Sequence, residues 1–112
     1  ASHVGLGIVN KSFVVAAGNW VGQDAHSYGT WNNVMAHHRG TEDYAKTAKN
    51  GAKTKDGDIV TVDVDLNKNV LNWAINGQYF ADGPVYSNIP KEVALAVSLW
   101  NAGNSVQIIQ YQ

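Results

Sequence analysis

The chain has 112 residues, 45% of them hydrophobic and 15% charged, with a formal net charge of −1 and no cysteine. That is enough for one soluble globular domain, residues 1–112, with a core of its own. Disulfides, thiolate metal sites and a cysteine nucleophile are excluded; the scattered Lys and Arg leave no footprint for nucleic acid, and no apolar run reaches the ~18–20 residues that insert across a membrane.

In chain order, Val4, Leu6 and Ile8 alternate with Gly5, Gly7 and Val9. This predicts a short strand whose glycine-bearing face marks close backbone approach or packing against something large. Asn10-Lys11-Ser12 is a turn, and residues 13–17 are an apolar run that suits a strand or one helical turn. Residues 18–27 are rich in turn formers and have no period, which predicts a loop with Trp20 in its middle. Residues 28–31 and 34–39 read as two further strands separated by Asn32-Asn33. Thr41 and the acids after it can cap a short helix over 41–49, though a loop with a small strand fits equally.

Residues 57–80 carry the strongest pattern. Val60, Val62, Val64 and Leu66 share one parity and Thr61, Asp63 and Asp65 the other, the period of a half-buried strand. Asn67-Lys68-Asn69 supplies turn chemistry. Leu71, Trp73 and Ile75 then alternate with polar or small neighbours, and Asn76-Gly77 is the dipeptide of a type I′ hairpin. After the turn at 81–84, residues 93–100 form a nearly continuous apolar run, which suits a strand buried on both sides or at the centre of a sheet. Residues 101–104 suit a hairpin loop and 105–111 a last strand. Seven or eight short strands at hairpin spacing predict an all-β fold, a single antiparallel β-sandwich of two sheets.

Taken together, these stretches resemble a family. Gly57-Asp58-Ile59-Val60, Asp63-Val64-Asp65-Leu66, Asn76-Gly77 and the run from Ala96 through Trp100-Asn101-Ala102-Gly103 to Val106 are similar, in order and spacing, to the C-terminal half of SPRY (B30.2-type) domains. His3-Val4-Gly5-Leu6-Gly7 resembles that family's early "VGL" strand, and Ser27-Tyr28-Gly29 its "YG" strand. The resemblance implies a concanavalin-like sandwich, of which small slime-mould haemagglutinins are similar to a stripped-down version. SPRY domains usually carry strands ahead of the "VGL" strand, and this sequence starts two residues before it. The sequence is then either a fragment or a compact version that closes its sandwich without those strands, and a free-standing domain of that length would suit a lectin better than an adaptor.

Aspartates 63 and 65 share a strand face about 7 Å apart, a spacing at which carboxylates can cleave glycosides. The glutamates that flank an aspartate in glucanases of related fold have no counterpart between Glu42 and Glu92, so a non-catalytic protein is expected. His37 and His38 point to opposite faces of a strand, and neither His3 nor His26 stands at ligand spacing, so neither a metal nor another cofactor is expected. The aromatics and amides are more suggestive. A sugar or peptide site needs an apolar platform with a few convergent polar groups, and Trp20, Trp31 and Trp100 with Asn101 nearby offer one; Tyr28, Asn32, Asn33, His37 and Arg39 are the polar companions. In a strand over 34–39, His37 and Arg39 share a face. Trp73, central in its alternating strand, is expected in the core, and Trp100 suits core or site.

Two functions follow as expectations. The first is a metal-independent lectin that binds glycans or glycoproteins through a sheet face or rim loops, outside the cell or at its surface. The second is an SPRY-type interaction module that holds a short peptide of a partner protein in a loop-formed pocket, in the cytoplasm. Cross-linking by a lectin would require a homo-oligomer or a second site.

Overall fold

In a computed structural model of the chain, residues 4–31, 36–43, 55–99, 103 and 105–109 are described. Their regular structure is all β, in two antiparallel sheets. The first sheet joins β1 (Val4–Val9), β2 (Ser27–Thr30), β3 (Ala36–His38), β4 (Thr41–Asp43) and β9 (Ala94–Leu99) in the order β4-β3-β2-β1-β9. The second is built on β6 (Val70–Ile75), with β5 (Val60–Asp65) on one edge and β7 (Gln78–Tyr79) and β8 (Tyr86–Ser87) sharing the other.

The β5–β6 hairpin forms as its alternation predicts, with Val62 opposite Trp73 and Val64 opposite Leu71. Its turn is fixed by Asp65, whose Oδ1 accepts from the amides of Asn67 and Lys68 at 2.9 and 3.1 Å, and by Asn69 at φ 55°. The next turn places Asn76 and Gly77 at φ 51° and 85°, the two left-handed residues of a type I′ turn. Asn76 is also held by its side chain, which accepts from Ile59 N at 3.0 Å and donates to Asp58 Oδ1 at 3.0 Å.

Between the sheets lies a core of Ile8, Tyr28, Ala36, Leu71, Trp73, Phe80, Val85, Tyr86 and Ile89. Trp73 is fully buried, and its indole Nε1 donates to the Leu6 carbonyl on β1 at 3.1 Å, so one side chain both fills the core and ties the sheets together. A buried indole N–H needs such a partner.

Four expectations are corrected. Residues 13–17 form neither strand nor helical turn; they run irregularly between two turns with Val14 and Val15 exposed. The apolar run, described over residues 93–99, is not central: β9 pairs with β1 alone among the described strands, and Val97 and Leu99 are exposed. Its Val93, Leu95 and Val97 instead line a cleft of about 1220 Å³ between the sheets, opposite Val60, Val62 and Val64. Residues 105–109 form no strand; they border the same cleft, because a period-two run becomes a strand only where an edge receives it. Arg39 is not in β3 but in the turn after it, at φ 59°. Of 41–49, residues 41–43 are strand β4, and the remainder lies outside the described residues.

Candidate functional site

The outer face of the first sheet is smooth where Gly5 and Gly7 of β1 meet Gly29 of β2. A Cβ on Gly5 would come within 2.7 Å of the Trp31 ring, and one on Gly29 within 2.7 Å of the Val21 carbonyl oxygen. The missing side chains let a loop lie flat on the strands, which is the close approach the glycines of β1 predict.

That loop, residues 19–26, crosses the sheet and is bonded along its length. Val21 is buried; its amide donates to Ser98 Oγ on β9 at 2.9 Å and its carbonyl accepts from Trp31 Nε1 at 3.3 Å. Gly22 N donates to Ser27 Oγ at 2.8 Å, and Ser27 Oγ in turn donates to Asp24 Oδ1 at 3.0 Å. The same carboxylate oxygen accepts from His26 N, while Asn19 Nδ2 reaches Oδ2 at 3.4 Å. At the far side, Arg39 N donates to Asp24 O and Gly40 N to Gly22 O at 3.0 and 2.9 Å. Contacts with β9, β1, β2 and the turn after β3 fix the loop, and a surface held in this way would take a ligand at a low ordering cost.

The loop presents Trp20. Its indole stands edge-to-face against Trp31, with centroids 5.7 Å apart at 80°, and against His37, at 5.4 Å and 89°. All three rings are half-buried. Aromatic contacts of this geometry contribute about 0.5–1.5 kcal/mol each beyond burial, so the cluster is a stiff apolar surface with an imidazole at one side.

Of the residues singled out in the sequence, Trp20, Trp31 and His37 are brought together here. Arg39 is exposed in the adjoining turn. Tyr28 is not part of the cluster: strand alternation turns it into the core, where its ring stacks on His38 at 4.0 Å and meets Tyr86 edge-on. Burial pushes its phenol above the usual range, against the pull of the Arg39 guanidinium. His38 Nδ1 bonds the Ser27 carbonyl at 2.9 Å, so that nitrogen carries the proton. Asn32, Asn33, Trp100 and Asn101 lie outside the described residues. Val21, Asp24, Ser27 and Ser98, which hold the loop, were not singled out in the sequence; only the glycines of β1 signalled that something packs there.

The aspartate pair has structural partners. Asp63 Oδ2 accepts from Tyr79 Oη at 2.6 Å, a bond that raises the Tyr79 phenol, and Asp65 holds the turn after β5. Among the described residues, no three His, Asp or Glu side chains converge where they could hold a metal.

No curated protein matches the chain. A model of the SPRY domain matches residues 1–112, in accord with the two-sheet sandwich described above. The chain belongs to the SPRY domain family.

Proposed function

We propose that this chain is a non-catalytic recognition module that takes a short peptide of a partner protein on the Trp20–Trp31–His37 face. The observation that carries this reading is the aromatic cluster itself, half-exposed on a loop pinned across the first sheet. SPRY domains generally mediate protein interactions, which supports a peptide ligand and, with it, a cytoplasmic location. Polar side chains of the loop also bond within it: Asn19 to the Asp24 carboxylate, Gln23 to the Trp20 amide and Asp24 to the His26 amide. A non-catalytic role is supported by the structural bonds of Asp63 and Asp65.

A second reading is a lectin that binds glycans, at the cell surface or outside the cell. The half-exposed indoles favour it, because such rings can cover the C–H faces of a sugar. Both readings are tested by screening the folded chain side by side on a peptide library and a glycan array, with Trp20→Ala as the control. Saturable peptide binding lost in Trp20→Ala supports the first reading. Glycan binding lost in the same variant moves the assignment to the second. Binding of either class that Trp20→Ala leaves intact would reject this face.

A further inference from the structure

The apolar run at residues 13–17 joins neither sheet and leaves Val14 to Ala17 exposed. Val14 is 64% and Val15 91% exposed, although the backbone around them is tied down. Phe13 N donates to Asn10 O at 3.2 Å and Asn19 N to Ala16 O at 3.1 Å. Ser12 N donates to Asn10 Oδ1 at 2.8 Å, and Asn19 Nδ2 to the Val14 carbonyl at 2.7 Å. The last of these bonds joins the run to the loop that presents Trp20, through the residue immediately before it. Valine has few rotamers to lose, so an exposed pair on a pinned backbone can be covered at little entropic cost. After the half-buried Phe13, Val14 to Ala17 are four consecutive exposed apolar residues, and contiguous apolar surface of this kind marks interaction sites.

The charge along this stretch is one-sided. Lys11 is exposed at its start, and the first acid after it is Asp24, whose carboxylate oxygens are bonded to Ser27, His26 and Asn19. From Asn10 to Gln23 the only charge is therefore a cation.

We propose that residues 13–17 extend the Trp20 face into a longer docking surface for a peptide that sets a bulky apolar side chain on Val14 and Val15 and an acidic residue beside Lys11. This rests on the peptide reading given above and adds the chemistry of the ligand. The apolar anchor removes the two valines from water, and the carboxylate meets Lys11 at the rim. A rim charge of this kind affects association and salt dependence more than it affects total affinity.

The test is to pan a phage-displayed random peptide library on the folded chain and measure the selected peptides against Val15→Asp, Lys11→Glu and Trp20→Ala. Both new positions are exposed, and near-UV circular dichroism verifies that each variant is folded. The expected peptides pair a large apolar residue with Asp or Glu. Val15→Asp should weaken them about tenfold or more, the scale of a lost anchor contact. Lys11→Glu should weaken them less and abolish most of their salt dependence. Peptides that require Trp20 but ignore both changes would overturn the extension and leave the aromatic face as the site. Selection of no peptide at all would overturn both. Binding to anionic lipid vesicles, lost in Val15→Asp, would reassign the run to a membrane surface and overturn the peptide.

Discussion

Replacing Gly5 with alanine tests how the loop that carries Trp20 is seated. A Cβ at this position would meet Trp31 Cε2 and Cζ2 at 2.7 Å and Val21 Cγ1 at 2.9 Å. Carbon atoms pack comfortably only at about 3.5–4.0 Å, so the indole and the loop must both move. Gly5 has no left-handed φ, so the backbone itself accepts alanine. Loss of unfolded-chain entropy should then stabilise the variant by about 0.4–1 kcal/mol, while overpacking costs about 1–3 kcal/mol. The packing cost wins, and a net loss of about 1–2 kcal/mol follows. Gly83 is the internal control: nothing stands within 4 Å of its Cβ position and its φ is not left-handed, so Gly83→Ala should gain about 0.4–1 kcal/mol. Urea denaturation reads both signs, and near-UV circular dichroism reads the displaced Trp31 in Gly5→Ala alone. If Gly5→Ala is as stable as the parent and its near-UV spectrum is unchanged, the loop does not lie on β1 as described.

Three further outcomes are expected. Trp73→Phe leaves the Leu6 carbonyl without its indole donor and opens space in the core, so it should lose about 2–4 kcal/mol in urea denaturation; a loss under about 1 kcal/mol would mean that Trp73 does not tie the sheets. Asn76→Ala must hold φ 51° without the side-chain bonds to Ile59 and Asp58 and should cost about 1–2 kcal/mol or slightly more, whereas Asn76→Gly, free to adopt that φ, should cost less; equal losses would argue against the left-handed turn. The hydrogen bonds from Asn76 and the Lys55 amide hold the Asp58 carboxyl below its ordinary value of 3.8. Its contribution is thus present above that value and lost as pH falls through the lower folded-state value. Asp58→Asn should flatten that part of the acid-unfolding curve, and an unchanged curve would show that the carboxylate is not engaged.

The hairpins from Val60 to Tyr79 were legible because their signals are local. Alternation sets which residues face the core, and Asn-Gly sets the turn, without reference to the rest of the chain. The glycines of β1 likewise announced a close approach. What packs on them was hidden, since Val21 and Ser98 stand 77 positions apart and meet only through the β1–β9 pairing. Trp20, Trp31 and His37 come from a loop, a strand end and a strand, so their convergence depends on the β2–β3 register that sets Gly29 against His37. The same register turns Tyr28 inward, which its polar tip concealed. Residues 93–99 and 105–109 show the opposite failure. Their composition favours strands, but whether an apolar run lies centrally, at an edge or along a cleft is decided by which strands flank it.

The most direct test of the central claim follows the indole N–H signals by nitrogen-edited NMR, assigned with single Trp→Phe variants. The folded chain is titrated with the tightest ligand from the side-by-side screen. The account predicts that the Trp20 and Trp31 signals shift together and saturate with ligand, while that of Trp73, buried and bonded to Leu6, stays in place. Saturable binding that leaves Trp20 and Trp31 unmoved would contradict it.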